Sequence, residues 1–135
     1  MSRILVDSSV IIESLKGNEK ALKLFRSVKD EELAINPIVF SEVVYIFMKY
    51  GKKDVNKVLD LLDSFIMLDL TKEIVKIAEN YIVRFKLFPN DSLILATCKY
   101  YGFSIATLDS DFEACCKSEG IEFIGGCDVL QGDGV

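Results

Sequence analysis

Four acidic residues stand where a carboxylate needs an explanation. Asp7 and Asp109 each follow a short run typical of a buried strand, Asp91 lies at the start of a helical pattern, and Glu42 lies inside an apolar block. A charged group in apolar surroundings is costly unless something pairs with it. Divalent cations held by clustered carboxylates would satisfy all four, and such cations polarise phosphates and activate water. The pattern therefore predicts a carboxylate-and-metal site.

Each acid also has an ordinary structural explanation. Asp7 and Asp109 could form turns after strands, and Asp91 could be a first-turn acid that complements a helix dipole. Glu42 could lie on a solvated helix edge or pair with a lysine. Taken singly, no acid decides between the two explanations.

Charge and composition narrow the chemistry. The chain has 135 residues, 16 of them basic and 21 acidic, and it contains no histidine. Without histidine there is no imidazole base, no Ser-His or Cys-His nucleophile pair and no His-ligated zinc. The net charge of −5 argues against binding nucleic acid through a bulk positive field. Hydrolytic chemistry must therefore rely on carboxylates and metal.

The length and the apolar content predict one domain spanning residues 1–135, with a loose tail from about residue 125. No apolar run approaches the ~20 residues that cross a bilayer, and no signal peptide pattern precedes the first strand. We expect a cytoplasmic protein without a membrane partner.

The cysteines form no Cys-x-x-Cys pair, so a zinc ribbon or thioredoxin-like site has little support. We expect buried thiols that pack as small hydrophobes, with a disulfide as the alternative if the source is a hyperthermophile. The four are Cys98, Cys115, Cys116 and Cys127.

Strand and helix patterns alternate along the chain, which favours a parallel sheet flanked by helices on both faces. Ligands gather at the carboxyl ends of such strands, and this brings Asp7 and Asp109 together. Asn90 is expected to cap the helix that carries Asp91. The predicted strands are Arg3–Val6, Leu33–Ile35, Ile66–Leu70, Phe103–Leu108 and Ile121–Ile124. The predicted helices begin near Ser8, Ala21, Pro37, Asp54, Thr71, Asn90 and Phe112.

Three other classes of α/β protein fit these residues less well. A phosphoacceptor receiver needs an acidic pair near the end of the first strand and a lysine after a late strand, and neither occurs. A haloacid-dehalogenase-type phosphatase needs a second Asp two places after the first, where this chain has Ser9. The chain also lacks the Gly-x-Gly-x-x-Gly and Gly-x-x-x-x-Gly-Lys patterns of nucleotide-binding proteins.

In order and separation, four motifs resemble those of PIN-domain ribonucleases, most closely the VapC-type toxins of type II toxin-antitoxin modules. The resemblance implies a three-layer α/β/α sandwich with a central, mostly parallel sheet of about five strands. The motifs are Asp7-Ser8-Ser9, Ser41-Glu42-Val43, Asn90-Asp91-Ser92 and Thr107-Leu108-Asp109-Ser110-Asp111. The family often has Thr where this chain has Ser8, and often another residue in place of Asn90.

The resemblance implies an endoribonuclease that uses Mg²⁺ or Mn²⁺ to hydrolyse RNA phosphodiesters. It implies that Asp7, Asp91 and Asp109 are metal ligands and that Glu42 orients or deprotonates the water. Asp111 would support a second, weaker metal. Ser8 and Thr107 match the hydroxyl positions of the family. Local lysines would bind the substrate, among them Lys16, Lys49, Lys52 and Lys53, which are alternatively solvated helix ends.

The resemblance also implies a cognate antitoxin whose C-terminal segment covers the acidic site, often with an arginine among the carboxylates. The block 37–48 is apolar on more than one face, which predicts a homodimer. The alternative to a homodimer is that the helix formed by this block is wholly buried in its own domain. Two other functions stay open: a non-catalytic PIN-like module that binds RNA or protein, and a metal-dependent nuclease that acts on DNA repair intermediates.

Overall fold

The computed structural model describes residues 2–51 and 54–125. Its sheet has five strands in the order β3-β2-β1-β4-β5, and every neighbouring pair is parallel. The predicted α/β class with a five-stranded sheet is confirmed, and the sheet is parallel throughout. The strands are β1 (Arg3–Val6), β2 (Glu32–Ile35), β3 (Ile66–Met67), β4 (Ser104–Thr107) and β5 (Phe123–Gly125).

Helices connect the strands and flank the sheet, as in a three-layer sandwich. A parallel connection needs a crossover, and a helix is the usual one. The helices are α1 (Ser8–Leu15), α2 (Glu19–Val28), α3 (Pro37–Lys49), α4 (Val55–Asp63), α5 (Lys72–Phe85), α6 (Pro89–Tyr101) and α7 (Glu113–Glu119). A single 3₁₀ turn, Ser110–Phe112, precedes α7.

The central strands are buried on both faces. Successive residues of a strand point to opposite faces, yet Leu5 and Val6 of β1 are both fully buried, as are Ile105 and Ala106 of β4. Both faces of the sheet are therefore covered, and β1 and β4 form the rigid middle of the molecule.

Several predicted element boundaries differ from the structure by one or two residues; the last strand, for example, is Phe123–Gly125 and not Ile121–Ile124. Two differences bear on the rest of the fold. The third strand is only Ile66–Met67, because it lies at the sheet edge and pairs with just two residues of β2. The helix α6 starts at Pro89, which places Phe88 rather than Asn90 at the N-cap. Proline suits the first helical position because its missing N–H would have no partner there.

The helix α3 buries most of its apolar surface in its own domain. Val39, Val43 and Phe47 are buried, and others pack against the same core. Tyr45 and Met48 are the exposed large hydrophobic side chains of α3. The apolar pattern that predicted a homodimer is thus explained largely within one chain, and the dimer stays a prediction.

Within the described residues, no helix is long and apolar enough to span a membrane. Cys98, Cys115 and Cys116 are buried free thiols, as expected for small hydrophobes. Cys127 and the predicted loose tail after residue 125 lie outside the described residues.

Candidate active site

The carboxyl ends of β1 and β4 hold the first two site residues side by side. Val6 pairs with Ala106, and the Asp7 N–H donates to the Ala106 carbonyl at 2.9 Å, which continues the pairing by one step. Thr107 ends β4, and Asp109 follows two residues later. Asp7 and Asp109 were predicted to follow the carboxyl ends of two strands, and the structure shows that these two strands are neighbours in the sheet.

The Asp7 side chain is buried and hydrogen-bonded. It is 4% exposed, and its Oδ2 accepts from Ser9 Oγ at 2.7 Å and from Thr107 Oγ1 at 2.8 Å. Burial raises the pKa of Asp7, and the nearby Glu42 adds to the rise, while the hydroxyl donors act against it. The net effect is a raised pKa of Asp7, so keeping this carboxylate charged costs free energy.

The same two hydroxyls fix the loop after β4. Ser9 Oγ accepts from the Leu108 N–H at 3.2 Å, and Thr107 Oγ1 accepts from the Asp109 N–H at 3.0 Å. Each hydroxyl therefore joins Asp7 to the chain that carries Asp109. Thr107 was predicted as a site hydroxyl, whereas Ser9 was missed, although it directly follows Ser8 in the first motif.

Glu42 is half-buried and held at both oxygens. Ser8 Oγ donates to Oε1 at 2.8 Å, and Asn90 Nδ2 donates to Oε2 at 3.2 Å. These bonds explain how a carboxylate persists on an otherwise apolar helix. The Ser8 hydroxyl, predicted as a site hydroxyl, thus contacts Glu42. One expectation is corrected, because Asn90 uses its side chain here and does not cap α6.

Asp91 lies in the first turn of α6 and is half-buried, and its carboxylate makes no hydrogen bond or ion pair with any other described residue. Burial is the largest cause that raises its pKa to about 6, followed by the charges of four other acids. These acids are, in order of effect, Asp7, Asp109, Glu42 and Asp111. The structure therefore brings all five predicted acids into one electrostatic neighbourhood.

Asp109 also forms the turn that its position after a strand suggested. Its Oδ1 accepts from the Asp111 N–H at 2.9 Å and caps the 3₁₀ turn. One carboxylate oxygen is thus engaged with the backbone. Asp111 itself is exposed and lies at the rim of the acidic group.

The donor set suits a divalent cation, although the side chains do not form a complete ligand shell. Among the described residues, no three acidic, cysteine or histidine side chains stand in a metal-holding arrangement. Nevertheless, Asp91 is an unpaired, half-buried carboxylate surrounded by like charge, and the donors are all oxygen, which Mg²⁺ and Mn²⁺ prefer. A cation would relieve this repulsion.

Two adjoining cavities lie along α1 and α3, and Glu42 lines the smaller of them. A smaller one of about 470 Å³ has Ser8, Glu42 and Asn90 on its wall. A larger one of about 810 Å³ runs between α1 and α3 and reaches Lys16 and Tyr50. The side chains of Ile12 and Ile46 line both cavities, which places them side by side.

The predicted substrate lysines differ in their surroundings. Lys16 pairs with Glu13 at 3.2 Å, so much of its charge is already compensated. Lys49 has contacts with tyrosines but with no described carboxylate. Lys52 and Lys53 lie outside the described residues.

Comparison with known proteins agrees with this fold. The PIN domain family model matches residues 4–118. Ribonuclease VapC2 of Methanocaldococcus jannaschii is 37% identical over 131 residues, which cover 83% of this chain and 88% of the relative. The alignment with Ribonuclease VapC6 of the same organism is 151 positions long and has 36% identity. It covers 91% of this chain and 97% of the relative.

A solved toxin-antitoxin complex from Klebsiella pneumoniae has the same fold. It superposes with a TM-score of 0.70 at 22% identity, over 81% of this chain and 89% of that chain. The chain described here belongs to the PIN-domain family. Within that family, its similarity to the two archaeal relatives places it among the VapC-type ribonucleases.

Proposed function

We propose that this protein is an endoribonuclease that hydrolyses RNA phosphodiesters with Mg²⁺ or Mn²⁺, and that it is the toxin of a toxin-antitoxin pair. One observation carries the proposal: the Asp91 carboxylate is half-buried, no other residue in the described part of the chain is its hydrogen-bond partner, and four other acids act on its pKa. A fold that only needed stability would gain from an uncharged residue there, because the repulsion opposes folding.

Asp7, Asp91 and Asp109 would hold the cation, with Asp111 at the rim as a ligand for a second, weaker one. When bound, the metal would polarise the phosphate, lower the pKa of a water and stabilise the leaving oxygen. The chain's own part is to fix the ligands beforehand. Ser9 and Thr107 hold Oδ2 of Asp7, which leaves its other oxygen for the metal.

Glu42 is proposed to orient the attacking water and to accept its proton. Its two oxygens are held by Ser8 and Asn90, so the carboxylate has a fixed direction. It also lines the smaller cavity, through which water and substrate can reach the acids. A positioned base contributes roughly 10²- to 10⁴-fold to a rate.

A cognate antitoxin is the proposed protein partner. The solved Klebsiella pneumoniae protein of the same fold is described as part of a toxin-antitoxin complex. Clustered carboxylates offer bidentate acceptors for an arginine of such a partner. We place the protein in the cytoplasm, where the three buried free thiols would stay reduced.

The test is cleavage of labelled total RNA by the parent protein and by Asp7→Asn, Asp91→Asn and Asp109→Asn variants. Each variant is expected to lose about 100-fold or more of the activity, because a metal ligand is lost. EDTA should abolish cleavage, and added Mg²⁺ or Mn²⁺ should restore it. Asp60→Asn, an exposed acid of α4, is the matched control and should cleave like the parent.

Cleavage that survives EDTA, or full activity in the Asp7→Asn and Asp91→Asn proteins, would contradict the proposal. RNA binding without cleavage by the parent under any metal would instead favour a non-catalytic module. Preferential cleavage of DNA in the same assay would favour the DNA nuclease alternative.

A further inference from the structure

A tyrosine and a lysine of α3 lie on the same face of the helix as Glu42. Glu42, Tyr45 and Lys49 are spaced at i, i+3 and i+7, so they share one face of the helix. From Glu42 to Lys49 the helix rises about 10 Å. The face therefore presents a carboxylate, then an aromatic ring, then a cation, in a row that leads away from the acidic group.

Lys49 lies between two exposed tyrosines. Its Nζ donates to Tyr45 Oη at 3.0 Å and lies 5.4 Å from the centre of the Tyr45 ring and 5.2 Å from that of Tyr50. Tyr45 is 54% exposed and Tyr50 is 67% exposed. We call these three residues the tyrosine-lysine cluster.

The charge of Lys49 is held in place but not neutralised. Its partners are rings and a hydroxyl, and no carboxylate of the described residues pairs with it. Like any exposed lysine, Lys49 is protonated at neutral pH, and hydrogen bonding to the tyrosines raises its pKa further. An anion can therefore bind this cation without displacing a carboxylate.

The cluster borders both cavities. Tyr45 lines the smaller cavity together with Glu42, and Tyr50 lines the larger one. A strand that enters at Glu42 and continues along α3 would pass Tyr45 first and Lys49 next. Its backbone needs a cation here, because the acidic group repels phosphate.

We infer that the tyrosine-lysine cluster is a subsite for a nucleotide next to the cleaved phosphate of a single-stranded RNA, with the Lys49 ammonium on a phosphate and the Tyr45 ring stacked on a base. This inference rests on the proposed ribonuclease function and specifies how its substrate is held. Stacking needs an unpaired base, and aromatic side chains bind single strands in this way with little sequence preference. The subsite therefore selects for single-stranded RNA.

Binding of a fluorescein-labelled, mixed-sequence single-stranded RNA oligonucleotide tests the inference. Anisotropy is measured in EDTA, so that metal-dependent cleavage does not occur. Tyr45→Ala should weaken binding about 10-fold, because one stacked base is lost. Lys49→Gln should weaken it about fivefold and reduce the slope of log Kd against log salt by about 0.7, which is the contribution of one phosphate contact.

Three controls separate stacking and charge from misfolding. Tyr45→Phe keeps the ring but removes the hydroxyl that Lys49 contacts, so it should bind RNA more tightly than Tyr45→Ala does. Tyr100→Ala removes an exposed tyrosine at the far end of α6 from Asp91, and Lys76→Gln removes an exposed lysine of α5; both should bind like the parent. Binding of a duplex of the same RNA should not change in Tyr45→Ala, because the bases of the duplex are paired.

Parent-like RNA binding by both Tyr45→Ala and Lys49→Gln overturns the inference, even if the parent cleaves RNA with metal. A changed sedimentation mass in these variants, with RNA binding unchanged, overturns it as well and marks the cluster as a protein contact. Conversely, weakened binding in a protein that never cleaves RNA would show that the cluster binds single-stranded RNA, and it would reject both the nuclease proposal and the position next to a cleaved phosphate.

Discussion

Thr107 Oγ1 donates a 2.8 Å hydrogen bond to Oδ2 of Asp7, and the two residues are one hundred positions apart in the chain. Thr107 Oγ1 also accepts a hydrogen bond from the N–H of Asp109 at 3.0 Å. One hydroxyl thus fixes both the carboxylate at the end of β1 and the backbone that positions the next acid. The geometry of the acidic site therefore depends on Thr107, a residue that is itself fully buried.

Replacing Thr107 with valine tests that dependence. Thr107→Val keeps the shape of the side chain, removes a donor from Asp7 and leaves the Asp109 N–H without a partner. We expect a loss of about 1–2 kcal/mol in the free energy of unfolding and a fall of about tenfold in RNA cleavage, since misplaced ligands impair catalysis. Urea unfolding and a cleavage assay measure the two effects.

Thr107→Ser is the matched control, because it retains the hydroxyl. It should recover most of the cleavage activity. If the valine variant cleaves as fast as the parent, the hydroxyl has no part in placing Asp7 and Asp109.

The charge on Asp91 should make the metal-free protein less stable at neutral pH. Its folded pKa of about 6 lies above the ordinary value of 3.8, so the folded state disfavours the charged form. Asp91→Asn should therefore raise the free energy of unfolding by about 1 kcal/mol at neutral pH, after allowance for partial solvation. The gain should fade as the pH falls through 6 towards 4, where Asp91 of the parent becomes protonated.

Thermal unfolding in EDTA at a series of pH values measures this difference. Asp60→Asn, on the exposed face of α4, should show no comparable gain. A destabilised Asp91→Asn protein at neutral pH would mean that Asp91 has a stabilising partner and that the acids do not oppose one another.

An antitoxin arginine and the metal should compete for the same acidic pocket. Because both neutralise Asp7, Asp91 and Asp109, inhibition by the antitoxin should weaken as Mg²⁺ rises into the millimolar range. Changing that arginine to alanine in the antitoxin should weaken binding. Titration of cleavage at several Mg²⁺ concentrations measures this, and inhibition that is independent of Mg²⁺ would place the antitoxin away from the acids.

The homodimer prediction can be narrowed to particular side chains. Met48 of α3 is 70% exposed, and it is the most exposed large apolar side chain in the block 37–48 that predicted the dimer. We expect a dimer in sedimentation at tens of micromolar protein, and Met48→Glu should shift it towards the monomer because a buried charge is costly. Val83→Glu, on the exposed face of α5, is the matched control. A parent protein that sediments as a monomer would end the dimer hypothesis.

Much of the fold was predictable because its boundaries are set by local chemistry. Pro37 begins α3 as expected, and α6 ends at Gly102, whose φ of +75° is a left-handed conformation that favours glycine. The short third strand was not predictable from its residues. Ile66 and Met67 continue into an apolar run, and only the position of this strand at the sheet edge ends the pairing.

The identity of the five acids was predictable from order and spacing, but their hydrogen-bond partners were not. Ser8 and Ser9 differ by one position on α1, which turns their side chains about 100° apart. Ser8 therefore contacts Glu42, and Ser9 contacts Asp7. Asn90 reaches Glu42 from another helix, and no sequence pattern records the packing that brings α3 and α6 together.

The pairing of β1 with β4 has a consequence for how this protein is made. Thr107 and Asp109 are synthesised about a hundred residues after Asp7. Until β4 has left the exit tunnel, β1 lacks one of its two neighbours and the acids cannot meet. The acidic site therefore forms only after translation of the segment that carries β4, and a chain interrupted before that point has Asp7 without its Thr107 partner.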